Sequence, residues 1–216
     1  MRRNKKELAI FIIFLITIVL TISCVPRPKI PQTETPPVSE TPKEVDISLY
    51  YPLKEGFEWE YEGVGNEYAS YTKKVTHSNN NRFQVMIDNG GTRSANIYEI
   101  KDGSVVNTYM EGEVYDDKNV LDKENNLNVV LIKLPIEVGN KWMSEENSYE
   151  IVDINALVTV PAGTFDNCIS IKEVYKDQTA EMFYYYKKDI GLVKSEFKTN
   201  DGFVIASLLK SYKLGE

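Results

Sequence analysis

A cysteine near the start of the chain is the residue whose surroundings most clearly specify a chemistry. Cys24 follows Leu20-Thr21-Ile22-Ser23, the end of a fifteen-residue run, Leu8–Ile22, that only Thr17 and Thr21 interrupt. Four basic residues precede this run, which is shorter than the roughly 20 apolar residues of a membrane-spanning helix. The pattern predicts cleavage after Ser23 and attachment of a diacylglyceryl lipid to the Cys24 thiol. The alternative is an uncleaved signal anchor.

The remaining candidates for catalysis give no recognisable constellation. His77 is the sole histidine and lies beside Ser78-Asn79-Asn80-Asn81, with no G-x-S-x-G motif elsewhere. This excludes Ser/His catalysis except through that one residue, and it excludes a His-rich metal site. We expect a solvated hairpin histidine, no catalytic residue, no metal and no cofactor.

Carboxylates leave two alternatives open. The segment 116–126 offers oxygen ligands but lacks the spacing of a calcium-binding loop, so a solvated loop is expected. A hydrolase that uses paired surface carboxylates is the other alternative. Against it, Glu58, Glu60 and Glu62 alternate regularly, as residues on a solvent-facing strand surface do.

Cys168 and a tyrosine run lie in strand-like segments. Cys168 is expected to be a buried, unreactive thiol, because nothing near it in the sequence lowers its pKa. Tyr184-Tyr185-Tyr186 must place rings on both faces of a strand. Cross-strand packing is the simpler role for these rings, and stacking on sugars or lipid chains is the alternative.

Composition restricts the classes of partner. The net charge is −7 over 216 residues, and loss of residues 1–23, with four basic residues and one Glu, makes it about −10. Such a balance disfavours nucleic acid and anionic lipid surfaces. If Cys24 carries lipid, Cys168 has no disulfide partner, and stability must come from a packed core.

Three regions follow from these patterns: a lipoprotein signal peptide at 1–23, a Pro-rich linker attached to lipid at 24–44, and a single β domain at 45–216. The linker holds six of the nine prolines. An extended polyproline chain of this length reaches up to about 60 Å. The linker is therefore expected to hold the domain away from the lipid headgroups.

Alternation of apolar and polar residues predicts an all-β antiparallel domain, either a strongly curved sheet or an open barrel. Phe57, Trp59 and Tyr61 share one strand face, and turn signals such as Asp102-Gly103 separate the predicted strands. A short helix is the alternative for 203–214. Two segments, 129–132 and 203–206, are apolar on both faces and need cover from a second sheet layer or an apolar ligand. The strands are predicted at 57–61, 67–77, 82–88, 95–101, 104–115, 127–134, 152–160, 165–176, 180–187, 192–199 and 203–213.

An internal repeat suggests two equivalent halves, about 50–130 and 133–216. Pro52–Trp59 and Pro135–Trp142 both fit P-[LI]-x-x-G-x-x-W and contain the only two tryptophans. A looser echo relates Tyr98–Gly103 to Tyr185–Gly191. In each P-[LI]-x-x-G-x-x-W copy, Gly permits a tight turn and Trp enters the core as the next strand begins.

The segments Pro161-Ala162-Gly163-Thr164-Phe165 and Gly191-Leu192-Val193-Lys194 resemble paired motifs of a group of uncharacterised bacterial envelope lipoproteins. Those proteins also open with a Y-P-L-x-x-G-x-x-W segment, as here at Tyr51–Trp59. The resemblance implies an antiparallel sheet and brings no catalytic residues. More distantly, the architecture is similar to the open half-barrels of Lol-type lipoprotein carriers.

We therefore expect a non-enzymatic module, held by its N-terminal lipid on the extracytoplasmic face of a bacterial cell membrane, that binds an envelope component or partner protein. A carrier or sensor that holds an apolar ligand within the curved sheet is the first alternative. The carboxylate-based hydrolase is the second.

Overall fold

The computed structural model describes residues 45–215, in which twelve strands follow one another along the chain. Two short 3₁₀ turns, Ile47–Tyr50 and Glu67–Ala69, are the helical elements of this part, and neither has the length and apolar character to cross a bilayer. Residues 44–216 form one compact unit, as expected of a domain that folds on its own. The strands are β1 (Glu58–Val64), β2 (Tyr71–Asn79), β3 (Arg82–Asp88), β4 (Arg93–Lys101), β5 (Ser104–Glu111), β6 (Val129–Lys133), β7 (Lys141–Ser144), β8 (Asn147–Val160), β9 (Gly163–Val174), β10 (Ala180–Lys187), β11 (Gly191–Thr199) and β12 (Val204–Lys213).

The strands form one antiparallel sheet that curls into a nearly closed barrel. The order is β6-β5-β4-β3-β2-β1-β12-β11-β10-β9-β8-β7, so each strand pairs with its neighbours along the chain except at two junctions. At one junction, the first and last strands pair, from Glu58 opposite Lys213 to Val64 opposite Ala206. At the other, β6 and β7 share no ladder, which leaves a single seam. The predicted all-β, antiparallel, strongly curved architecture is confirmed.

Most predicted strands agree with the structure, and four predictions need correction. The segment Phe203–Leu214 forms strand β12, so the helix alternative is wrong. The segment 67–77 begins with the second 3₁₀ turn, and 104–115 leaves the sheet at Glu111. The segments expected to be covered on both faces are not: Phe203 and Val204 are exposed, and Val129, Val130 and Leu131 are half-buried. The single curved sheet has no second layer over them.

Because the strands alternate in direction, their connections divide between two ends of the barrel. The proximal end holds Val45, where the described chain begins, and the connections at 80–81, 102–103, 134–140, 161–162 and 188–190. Val45 and Ile47 lie beside Gly103 and Leu134, and the backbone N–H of Asp189 donates to the carbonyl of Leu49 at 2.6 Å. The distal end holds the connections at 65–70, 89–92, 112–128, 145–146, 175–179 and 200–203.

The barrel interior is filled mainly by large aromatic side chains. Trp59 and Tyr61 enter it from β1, Tyr98 from β4 and Tyr186 from β10, and all four are buried. The indole N–H of Trp59 donates to the carbonyl of Ile190 at 2.8 Å, and the Tyr61 hydroxyl donates to that of Leu192 at 2.9 Å. These bonds satisfy the polar groups that accompany aromatic burial and tie β1 to the second half of the chain.

A second core lies outside the barrel wall. The long connection 112–128 packs over β3–β5 and buries Val114, Val120 and Leu121 against Met86 and Ile97. Gln84 fastens it, because its side-chain amide donates to the carbonyl of Lys118 at 2.9 Å and accepts from the N–H of Val120 at 2.7 Å. Gln84 is fully buried, so both groups are withdrawn from water.

Side chains close the seam where the backbone ladder is absent. The indole N–H of Trp142 donates to the carbonyl of Val130 at 2.9 Å. The hydroxyl of Ser144 accepts from the N–H of Val130 at 2.7 Å and donates to the carbonyl of Asn128 at 3.1 Å. Residues of β7 thus satisfy backbone groups of the facing edge through their side chains.

The two P-[LI]-x-x-G-x-x-W segments make the same turn before β1 and before β7. Gly56 and Gly139 have φ of +86° and +90°, a region that favours glycine. The N–H of Gly56 donates to the carbonyl of Val75, and that of Gly139 donates to the carbonyl of Ile151. The second sequence echo likewise falls on the turns β4–β5 and β10–β11, six strands apart. These correspondences agree with a duplication, which stays a prediction.

Replacement of Gln84 tests the fastening of the 112–128 connection. Gln84→Leu leaves the carbonyl of Lys118 and the buried N–H of Val120 without their partner, and we expect a loss of about 2 kcal/mol in the free energy of unfolding. Urea denaturation measures this loss, and limited proteolysis should show faster cleavage within 112–128. Thr72→Leu, an exposed position on β2, is the control and should change stability little. Equal stability of the two variants would contradict the assignment.

Candidate functional site

A buried lysine lies among the aromatic rings of the interior. Period-two alternation on β2 directs Tyr71, Lys73 and Val75 into the barrel. The Lys73 amine donates to the Tyr51 hydroxyl at 2.7 Å. It also lies 3.9 Å from the ring centroid of Tyr51, 5.2 Å from that of Trp59 and 5.3 Å from that of Tyr98. The site is thus an aromatic cage closed by Tyr51, which arrives from the segment before β1.

Burial dominates the electrostatics of this amine. Lys73 is only 6% exposed, and the loss of water lowers its pKa to about 7. Among residues 45–215, no carboxylate forms an ion pair with it. The ring faces provide the partial negative charge that an ion pair would otherwise supply. Burial also raises the pKa of the Tyr51 phenol, which stays neutral as the hydrogen-bond partner.

A buried carboxylate occupies the other half of the barrel. Glu173 accepts hydrogen bonds from the Tyr149 hydroxyl at 2.7 Å, the Asn147 amide at 2.7 Å and the Tyr184 hydroxyl at 2.6 Å. The ring centroids of Tyr184 and Tyr186 lie 6.4 Å apart, and those of Tyr186 and Tyr51 lie 6.0 Å apart. Packed tyrosines therefore fill the space between the side chains of Glu173 and Lys73.

The partners of Lys73 and Glu173 lie within the core. The hydrogen-bonding groups around Lys73 and Glu173 belong to the protein itself, and aromatic rings occupy the volume between them. Four surface grooves stand out in the described part of the chain, and neither Lys73 nor Glu173 lines them. We interpret both groups as structural elements of the core.

Those of the residues singled out from the sequence that the structure describes lie on different elements. Cys24 lies outside the described residues, so its lipid attachment stays a prediction. Cys168 is buried, as expected, and burial raises its pKa to about 11. His77 is half-buried, with Nε2 3.1 Å from the carbonyl oxygen of Asp117. The expected cross-strand packing of the tyrosine run is seen for Tyr184 and Tyr186, whose rings pack in the core.

The carboxylates of the 112–128 connection line a groove of about 530 Å³ near the distal end. Its lining includes Glu111, Glu113, Asp116 and Tyr115. Hydrogen bonds from the hydroxyls of Tyr115 and Thr92 lower the pKa of Glu113. A general acid for glycoside hydrolysis needs a raised pKa, so Glu113 is shifted in the opposite direction. Within residues 45–215, no cluster of three His, Cys, Asp or Glu side chains is placed to hold a metal ion.

Five exposed side chains form a distal apolar arc around this end. They are Val64, Tyr68, Tyr115, Phe203 and Val204, with exposures of 48%, 57%, 63%, 51% and 40%. Val138 and Leu157, which are also exposed, lie toward the proximal end. Sequence reasoning did not identify the arc, because its members lie in four different parts of the chain. Only the sheet topology brings them to one end.

Two solved structures are similar to this one. A predicted exported protein with a YmcC-like fold from Bacteroides fragilis has 16% identical residues and a TM-score of 0.46, and the match covers 76% of this chain and 98% of that one. A predicted lipoprotein from Parabacteroides distasonis has 16% identity and a TM-score of 0.47, with 78% and 100% of the two chains covered. No protein-family model and no curated protein sequence matches the chain.

The buried amine predicts a pH dependence of stability. Below pH 7 Lys73 is protonated in both the folded and the unfolded chain, so the cost of burying its charge is present in full. Between its folded pKa of about 7 and an unfolded value of about 10.4, only the folded chain releases the proton, so stability rises with pH. We expect the free energy of unfolding to rise by about 2 kcal/mol between about pH 7 and pH 9.

Urea denaturation of residues 44–216 at the two pH values measures this rise. Lys73→Met should abolish it, because the variant has no buried amine to titrate. Lys74→Met, at the neighbouring exposed lysine, should retain it and is the matched control. A rise of the same size in Lys73→Met would assign the titration to another group.

Proposed function

We propose that this chain is a non-enzymatic lipoprotein module on the extracytoplasmic face of a bacterial cell membrane, which binds an envelope partner through its distal end. One observation carries the proposal: the chain enters the domain at the proximal end, whereas the distal apolar arc is exposed at the opposite end. A lipid on Cys24 would hold the chain at the membrane through the segment that leads to Val45. The arc lies at the end of the domain opposite the point where the chain enters it.

Two observations favour a binding role over a carrier and over a hydrolase. Packed rings of Tyr51, Tyr98 and Tyr186 occupy the space in which a carrier would hold an apolar ligand. The lowered pKa of Glu113 opposes its use as a general acid in a hydrolase. The resemblance to envelope lipoproteins with the P-A-G-T-F and G-L-V-K motifs agrees with this role. Both that resemblance and the distant similarity to Lol-type carriers stay predictions.

Lipid attachment is tested by metabolic labelling with an alkyne-bearing fatty acid in bacteria that express the full chain. We expect label on the wild-type chain and none on Cys24→Ser, because Cys24 is the predicted acceptor. Cys168→Ala removes the other cysteine of the chain and should keep the label. Label retained in Cys24→Ser would place the lipid on another residue, whereas an unlabelled wild-type chain that keeps residues 1–23 would favour the uncleaved signal anchor.

Use of the distal end is tested by site-specific photocrosslinking in intact cells. A benzophenone amino acid at Tyr68 should give a discrete crosslinked adduct, because this side chain is exposed on the arc. The same probe at Val138, which is 60% exposed at the proximal end, is the control for non-specific capture. An adduct from Val138 alone would place the binding surface at the opposite end of the barrel.

A further inference from the structure

The members of the distal apolar arc lie on chain segments that meet at one end of the barrel. Val64 and Val204 lie on the paired strands β1 and β12, where Val64 is opposite Ala206. A Cβ atom at Gly65 would lie 2.4 Å from the carbonyl oxygen of Val204, which shows how closely the two chain segments approach there. Phe203 precedes Val204 in the β11–β12 connection. These side chains form the first part of the arc.

The β3–β4 turn links this part to Tyr115. On one side of the turn, the Tyr68 ring packs against Gly91, where an added Cβ atom would come within 2.9 Å of it. On the other side, the hydroxyl of Thr92 donates to Glu113 at 2.8 Å, and the carbonyl of Tyr115 accepts from Arg93 at 3.2 Å. Tyr68 and Tyr115 therefore flank the same turn, and the groove beside Tyr115 continues the arc.

Charge distinguishes the two ends of the barrel. The connections of the distal end hold ten Asp or Glu residues and three lysines, whereas those of the proximal end, from 45–57 to 214–215, hold five acidic residues and two lysines. At the distal end only Asp117 and Glu146 form ion pairs among these ten, with Arg93 and Lys176. Eight of these ten carboxylates therefore form no ion pair within residues 45–215, and Glu67, Glu113 and Asp116 belong to the same connections as Tyr68 and Tyr115.

We infer that the distal apolar arc and its groove bind a basic amphipathic segment of a partner protein. The apolar face of that segment would cover Tyr68, Phe203 and Val204, and its lysines or arginines would approach Glu67, Asp116 and Glu113. An exposed apolar patch with a polar border is typical of protein interaction sites. Opposite charge favours approach and selects against acidic partners. This inference rests on the proposed function, because it names the partner class of the same surface.

The probe is a synthetic helical peptide of leucine and lysine, of about 18 residues, with all leucines on one face. Its binding to residues 44–216 is measured by fluorescence anisotropy, beside a peptide with glutamate in place of lysine and a leucine–lysine peptide of scrambled order. We expect binding of the ordered cationic peptide that weakens in about 0.5 M salt, since screening reduces the charge contribution. Equal binding of all three peptides, or no binding of the cationic one, would overturn the inference.

Variants then locate the binding surface. Tyr68→Ser combined with Phe203→Ser should weaken binding of the cationic peptide by about tenfold or more, because these rings would supply the buried contact. Val138→Ser with Leu157→Ser removes comparable exposed apolar side chains elsewhere and is the matched control. Glu67→Gln with Asp116→Asn should reduce the salt dependence, whereas Asp102→Asn with Glu137→Gln at the proximal end should not. An equal loss in the control variants would contradict the assignment to the arc.

Unfolding curves of every variant distinguish a lost surface from a lost fold, and the substituted side chains are exposed. Because residues 44–216 carry no lipid, this experiment is independent of anchoring. If Cys24 is labelled but the cationic peptide does not bind, the inferred partner class is wrong and the anchored module stands. If the peptide binds but Cys24 is not labelled, the lipid anchor is wrong and the binding surface stands.

Discussion

The pairing of the first and last strands is the constraint on which this structure depends. Only when β1 meets β12 does the sheet enclose the rings of Trp59, Tyr61 and Tyr186. The side chains of β1 reinforce the closure, because Trp59 and Tyr61 donate to carbonyls at Ile190 and Leu192, about 130 residues further along the chain. Contacts of such long sequence separation carry a high entropic cost before they form. The core therefore becomes complete only when the whole domain has folded.

Tyrosine is suited to this interior because it combines an apolar ring with a hydroxyl that can satisfy a buried charge. Burial of an unpaired amine or carboxylate costs on the order of several kcal/mol unless other groups replace the lost water. Tyr51 accepts from Lys73, and Tyr149 and Tyr184 donate to Glu173. The same rings pack against one another and exclude solvent. Two ionisable side chains are thus accommodated in separate halves of the barrel without a direct ion pair.

Much of the sheet could be predicted from alternation alone. Phe57, Trp59 and Tyr61 identified β1, and turn signals such as Asp102-Gly103 separated the later strands correctly. Alternation gave wrong predictions of burial where the strand face on which a residue lies does not determine whether the residue is covered. Phe203 and Val204 read as core residues, yet they project at the end of the barrel, where no further strand covers them.

The interior charges and the distal surface were not found from the sequence for a related reason. Lys73 occupies the inward position between Tyr71 and Val75, but a lysine in such a pattern is normally assigned to solvent. The overall charge of the chain also does not show where its carboxylates lie. The carboxylates of 112–128 and of the other distal connections come to one end of the barrel only through the sheet topology. Position in the barrel, rather than residue type, determines the role of these groups.

The side-chain closure of the seam has a consequence for behaviour at high local concentration. Proteins at high concentration collide often, and unpaired strand edges then invite growth of one sheet onto another. Here β6 and β7 have five and four residues, and Trp142 and Ser144 already occupy backbone groups of the facing edge. A second copy finds little free ladder to extend. The barrel can therefore be crowded without polymerising through its one open junction.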